Sequence, residues 1–464
     1  MSVVVEREEW VLSPLIYGFI FACCFFSVFL FPSCEGAEPR GRRQQLPVFS
    51  MSAPPRHSYV SRGVSCSSTL SRRFMGKLTY AVMEGLESMY GEYEFAYHGM
   101  SGEQMVLITS AGVAVSLVFG TFVGFLSDII GPRIFCILFC FFHLLVGVLK
   151  SVAWHPSMLL SSLCMGIAST IYSICFETWM VTEHEKQGHK INLLSDTFWL
   201  MTLFESASLL GSQGLANLLI KGLERGLLLP SALAALLAII SIHYLRKEWN
   251  GNYQNATIEN YQKSFTVRIF ADKSIWMLGW AQASVHFSLS VFWILWAPTI
   301  VEDGREVQLS HIYPCFLGSR MLGSTTFPWF SGAASPLHNE DQTHLIAAFA
   351  VAGLVLSIIA YDYQDIGVLV VLFCIFHACI GLISPSLARL RTMYIPNELR
   401  GGMVSASLVP ANAAYLFVLV IGGYYRSLNN AAIMAFAAVG LLSAAGCIYV
   451  LRWRKHPRQN WHDL

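Results

Sequence analysis

The chain has 464 residues, 55% of them hydrophobic and only 13% charged, with a mean hydropathy of +0.52. A soluble globular chain carries about 25% charge, so the composition excludes an ordinary soluble enzyme or a nucleic-acid-binding domain and points to a bilayer. The formal net charge of +1 decides nothing, whereas the placement of the charges decides a good deal.

Residues 1–10 carry Glu6, Arg7, Glu8 and Glu9, and Leu12 to Pro32 form an apolar run of spanning length. The leader is not basic and no A-x-A cleavage site follows, so residues 1–33 read as an extra transmembrane anchor rather than a signal peptide. Residues 34–73 are rich in Ser, Pro and Arg, without periodicity, and read as a basic disordered linker. Apolar stretches then recur at about 75–95, 105–127, 134–152, 157–181, 194–220, 228–246, 274–299, 311–331, 343–361, 366–389, 402–424 and 431–451. A window of about 20 apolar residues spans the hydrocarbon as a helix. These runs are continuous rather than alternating, so helices are expected and not a barrel. The fold class is therefore an all-α membrane protein.

Basic residues set the orientation. The linker, Arg133, Lys186, Lys190, Arg246, Lys247, Arg389, Arg391, Arg400 and Arg452 all fall on one side of the twelve-span arrangement, which is then cytoplasmic. The longest connection, 247–273, divides the spans six and six. The expected organisation is a six-helix half over 74–246, a cytoplasmic central loop over 247–273, a second half over 274–451 and a tail over 452–464. Asn255-Ala256-Thr257 matches a glycosylation sequon, but a cytoplasmic loop leaves it unmodified. Twelve spans split in this way describe a secondary transporter built from two repeats.

Between spans two and three stands Gly124-Phe125-Leu126-Ser127-Asp128-Ile129-Ile130-Gly131-Pro132-Arg133. Gly124 permits close helix approach, Asp128 can cap a helix N-terminus or pair with a base, and Gly131 supplies the turn. This stretch resembles the signature of the major facilitator superfamily, departing from it at Pro132, where a basic residue is usual. That leaves Asp128 and Arg133 to carry a conformational latch. Three further stretches narrow the resemblance: Phe176 to Glu185, Trp276 to Pro298, and Gly381 to Arg400. Together they resemble the molybdate-anion transporter branch, plant members included, over most of the chain from about residue 74. The resemblance implies a twelve-helix core in two six-helix halves, the extra N-terminal helix, and uptake of the molybdate oxyanion without a cofactor.

Ionisable groups inside apolar spans are functional candidates by default. Arg320 lies mid-span and must face either a cavity or an interior acid. As an anion site it would offer two parallel hydrogen bonds to a tetrahedral dianion, with Ser319 and Ser324 as neutral donors. Gln282 and Asn412 are further candidates for the substrate pathway, as are His286 and His377. Glu84 and Glu87, three apart on one helix face, and Glu177 are candidates for proton coupling, with pairing to a base as the alternative. Glu205 is a further acid inside span five. Glu183 and His184, and Arg389, Arg391 and Arg400, stand at the cytoplasmic ends of spans four and ten with Gly124, Asp128, Gly131 and Arg133, and read as a gate. Twelve scattered cysteines form no metal-ligand set, so no metal is expected.

The residues alone leave three functions open. One is an oxyanion carrier for molybdate, coupled or not to protons. The second is a carrier of sulfate, a small organic anion or a sugar, and the third a membrane scaffold acting through the linker. The home membrane is the plasma membrane or an internal one.

Overall fold

The structure is a computed structural model that describes residues 12–30, 79–87, 99–152, 155–186, 191–222, 229–247, 258–301, 307–330, 340–361, 365–425 and 427–453. The linker 34–73, the sequon and nearly all of the tail lie outside the described residues. Fourteen helices account for almost all of what is described. They are α1 (Pro14–Leu30), α2 (79–87), α3 (Gly102–Ile130), α4 (Pro132–Ser151), α5 (His155–Lys186), α6 (Ile191–Gly222) and α7 (Leu229–Lys247). After α8 (Ile258–Ala271) come α9 (Lys273–Val301), α10 (Leu309–Phe330), α11 (Glu340–Ala360), α12 (Ile366–Tyr394), α13 (Arg400–Phe417) and α14 (Asn430–Trp453).

Local sequence sets several of these boundaries. Ser101 starts α3 with a capping box, its hydroxyl and the Gln104 amide each satisfying the other's backbone N–H. Gly131 has φ 107°, a value L side chains rarely adopt, and both ends α3 and starts α4, with Pro132 in the first helical turn. Asp365 caps α12 by accepting from Gly367 N at 2.8 Å. Pro410 lies inside α13, which continues as a π-helical segment, Val418–Tyr424, where a bonding register has slipped.

Two apolar cores form. One is built from α2, α4, α5, α6 and α7, with Val404 and Leu408 of α13 against it. The other is built from α9 to α14 and takes in Leu12, Ile20 and Cys24 from the N-terminal segment. The halves meet where α3 packs on α13, α5 on α13, and α6 on both α10 and α12. Aromatic and aliphatic side chains such as Phe119, Phe122, Ile239, Leu354 and Phe436 point outward, as lipid-facing surface does. Nine described helices are long and apolar enough to cross a membrane. The long helices α6 and α10 are not among them; they carry Glu205 and Arg320 to the cavity between the halves.

One element adds to what the sequence suggested. The central connection is not only a polar loop: α8 folds within it, burying Tyr261 against the bundle. The N-terminal helix α1 lies parallel to α10. Tyr17 donates to the carbonyl of His311, Cys24 Sγ to Gly318 O at 3.6 Å, and Ser27 Oγ to Thr325 O at 3.1 Å.

Candidate functional site

A cavity of about 1270 Å³ lies between the halves. It begins among Gly102, Ser161, Pro298 and Ser310, at the helix ends away from the basic residues, and reaches down to Glu177, Gln282 and Arg391. The basic end is shut. The chain is therefore open on the side opposite its basic loops.

Arg320 faces this cavity from α10, and its Nη2 donates to Glu205 Oε1 of α6 at 3.1 Å. Both side chains keep some water contact, at 12% and 20% exposure. The Arg320 Nε has no acceptor among the described residues, so the guanidinium has donors to spare. Its backbone is fixed by close packing: a Cβ on Gly381 of α12 would overlap the Arg320 carbonyl and stand 2.9 Å from Ser324 N. Ser319 and Ser324 do not join it in the cavity. Ser324 donates back to Met321 O at 2.7 Å, and both hydroxyls are buried against neighbouring helices.

Gln282 and Asn412 do line the cavity. Asn412 Oδ1 and His286 Nε2 are 3.1 Å apart, tying α13 to α9. Gln282 accepts from Arg391 Nη1, and Arg391 also holds both oxygens of Glu177, from Nε at 3.0 Å and from Nη2. Arg391 thus stands on the cavity floor as well as at the gate. His377 is wholly buried among Phe292, Trp293, Phe316 and Phe376 rather than on the pathway.

The acids of α2 have partners on α4. Glu84 Oε2 is 3.3 Å from His143 Nε2, and Glu87 is 2.7 Å from Lys150 Nζ and accepts from Ser231 at 3.2 Å. Positions 143 and 150 are seven apart and share a helix face, so two acids on α2 meet two bases on α4. Glu84, Glu87 and Lys150 all reach the cavity wall. Lys150 escaped the sequence reading, though a lysine inside an apolar run was signal enough.

At the basic end Asp128 caps α13. Its carboxylate accepts from Gly401 N at 3.0 Å and Gly402 N at 2.8 Å, where the helix N-terminus favours negative charge. A third bond comes from the Tyr261 hydroxyl of α8 at 2.7 Å. Burial and the adjacent Asp128 carboxylate push the Tyr261 phenol up, so it stays a donor at neutral pH. Arg133 does not pair with Asp128; its Nη2 reaches Leu245 O at 3.5 Å and holds the end of α7. Glu183 and His184 end α5 beside Glu185, which accepts from Asn397 at 2.9 Å. Arg389 acts on Asp196 across the seam, and Arg400 lies wholly buried behind Glu177.

Tyr261 was invisible as a functional residue, yet Tyr261 and Phe265 stand four apart, at helical spacing, and marked a packed face. Removing its hydroxyl deletes a hydrogen bond to a charged group, worth about 1.5–3 kcal/mol. Tyr261→Phe is expected to open the basic end more often. Hydrogen exchange at the Gly401 and Gly402 amides should speed up by about tenfold or more, and an unchanged rate would count against the latch.

A family model described as sugar transporters with 12 transmembrane spans (MFS_5) matches residues 74–375. The chain belongs to that family. Over 363 residues, 76% of this chain and 79% of the relative, it is 25% identical to a molybdate-anion transporter of Xenopus laevis. It is 22% identical over 437 residues to that of Takifugu rubripes, covering 87% of this chain and 88% of the relative. Among solved structures, the proton:xylose symporter XylE superposes with a TM-score of 0.65 at 10% identity, over 83% of this chain and 96% of that one. A bacterial homologue of the iron transporter ferroportin, in an outward-facing state, superposes with 0.66 at 16% identity, over 83% and 99%. The fold is that of the major facilitators, and within them the chain is similar to molybdate-anion transporters. As a major facilitator it is a multi-pass integral membrane transporter, not an enzyme.

Proposed function

We propose that this major facilitator carries a tetrahedral oxyanion, molybdate in the first place, inward across its membrane together with protons. The observation that carries the reading is the Arg320–Glu205 pair: a guanidinium from one half held by a carboxylate from the other, inside a water-accessible cavity. The molybdate-anion transporter relatives supply the substrate class.

The chemistry is an exchange. A dianion that arrives at Arg320 and takes the place of Glu205 leaves a carboxylate stripped of its cation in a poorly solvated site, which is costly. Protonating Glu205 removes that cost and frees the guanidinium for two parallel bonds to the anion. Glu84, Glu87 and Glu177 are further acids on the same cavity wall that could take up protons as the cycle proceeds. Import of a dianion against an inside-negative potential of 100 mV costs about 4.6 kcal/mol, at about 2.3 kcal/mol per charge. Each co-transported proton recovers about half of that cost. A neutral sugar would need neither the arginine nor the exchange.

The test is uptake of labelled molybdate by cells lacking their own carriers, competed with sulfate and repeated across pH. Wild-type uptake is expected to rise as pH falls. In Glu205→Gln, which mimics the protonated acid, uptake should persist but lose most of its pH dependence. Molybdate uptake indistinguishable from that of empty cells would end the reading, and a full pH dependence in Glu205→Gln would end this role for Glu205.

A further inference from the structure

The cavity floor holds a second arginine centre, separate from the Arg320–Glu205 pair. Arg391 of α12 grips the Glu177 carboxylate of α5 with two donors and Gln282 of α9 with a third. Behind Glu177 stands Arg400, with no exposure at all. Its Nε lies 3.9 Å from Glu177 Oε1, and its Nη2 donates to Ala388 O at 3.4 Å. Its Nε and Nη1 have no hydrogen-bond acceptor among the described residues. Asp128 and Glu185 attract it through space. A wholly buried guanidinium with idle donors is expensive to maintain. Glu177 thus sits between two cations, bonded to the one that faces the cavity and just short of bonding distance from the one behind.

We infer that Arg391 is a second station for the tetrahedral dianion, filled when the Glu177 carboxylate passes from Arg391 to Arg400. The inference rests on the oxyanion reading given above. The anion offers Arg391 the same arrangement as the carboxylate, two oxygens to one planar fork. Glu177 needs to move by only about 1 Å to bring Arg400 Nε into hydrogen-bond range. Arg391 and Glu177 then have a partner before and after the exchange, and Arg400 gains the acceptor it lacks. The Gln282 amide, already bonded to Arg391, carries two N–H donors that suit an oxyanion beside it.

The exchange also has a mechanical result. Glu177 belongs to the first half and Arg391 to the second, so their bond is one of the bridges holding the basic end shut. An anion that replaces Glu177 at Arg391 moves that bridge to Arg400, which also belongs to the second half, so the seam stays tied while cargo occupies the floor.

Equilibrium binding of labelled molybdate to the purified full-length chain in lipid nanodiscs tests this, with labelled sulfate as a second arm. Two classes of site are expected in the wild type. Arg391→Gln should lose one class and keep the other, and Arg320→Gln should do the reverse. The double variant Glu177→Gln/Arg391→Gln exchanges the ion pair for two amides without orphaning a charge, and should show the same loss as Arg391→Gln. Glu177→Gln alone frees Arg391 and should tighten the floor class by about tenfold; an unchanged isotherm there overturns the hand-over. A single class of site that vanishes in Arg320→Gln and survives in both Arg391 variants overturns the second station and leaves the oxyanion reading standing. A wild-type chain that binds neither anion overturns both.

Discussion

Arg320→Gln is expected to reduce molybdate uptake to background, a loss of more than about a hundredfold, with the chain still inserted in normal amount. The argument is one of donors and charge. The guanidinium is a cationic group on the cavity wall, held by Glu205 at 3.1 Å, with its Nε unused among the described residues. Deleting a charged partner of a buried anion costs about 2–5 kcal/mol, and about 3 kcal/mol already exceeds a hundredfold. Arg320→Lys keeps the charge but replaces a planar fork by a point donor, and its uptake should also fall steeply. Arg320→Gln leaves Glu205 without its bonded cation, so a loss of folded protein must be separated from a loss of binding. The double variant Arg320→Gln/Glu205→Gln does this, because the orphaned carboxylate is gone. It should restore any lost protein without restoring uptake. Near-normal uptake in Arg320→Gln would remove the site from the mechanism.

How far such a site can be read in advance depends on the reach of each interaction. Arg320 was legible because a charge inside an apolar run is costly wherever it lies. Its partner was not assigned, since Glu205 is 115 positions away and only the packing of α6 on α10 joins them. The same holds for Glu84 with His143 and Glu87 with Lys150: the shared helix face was local information, while the partners were tertiary. Asp128 was readable as a helix cap, but which helix it caps was not. The N-terminus it meets belongs to α13, 273 positions on. Arg133 shows the limit from the other side. Adjacency in the turn suggested a joint role with Asp128, whereas the direction in which a side chain leaves its helix sends it to Leu245. The spans themselves were readable almost throughout, because hydrophobic length is a local property.

The acidic side chains that cross between the halves share a polarity. Asp128, Glu177, Glu185 and Glu205 come from the first half, and they meet the α13 amides, Arg391, Asn397 and Arg320 of the second. The seam is thus closed by anions from one side and donors from the other. A carrier for an anion gains from this arrangement, because its cargo resembles the closing groups and competes with them for the same donors. A neutral substrate would leave every bridge intact and would need another means of opening the basic end.

Closure depends on contact distance as well as on charge, and Gly124→Ala is expected to abolish it. A Cβ at Gly124 falls on the Gly401 carbonyl and against Ser405, and a Cβ at Gly401 would stand 2.6 Å from Asp128 Oδ1 and 2.7 Å from Gly124 O. The overlap is with backbone, which has no rotamer to escape into, so α3 and α13 must separate. Asp128 then loses its bonds to the Gly401 and Gly402 amides, each worth about 1.5–3 kcal/mol. With that end unable to shut, the state open at the opposite end alone becomes rare, and uptake should fall by about a hundredfold. Accelerated hydrogen exchange at the Gly401 and Gly402 amides should accompany the fall. Gly120 is the internal control. One turn earlier on the same helix, its added Cβ would meet Thr170 Cγ2 at 3.4 Å and Asn412 Nδ2 at 4.0 Å, ordinary contacts both. Gly120→Ala should therefore transport nearly as the wild type does. Equal uptake in the two alanine variants would mean that α3 and α13 do not need to close at Gly124 during the transport cycle.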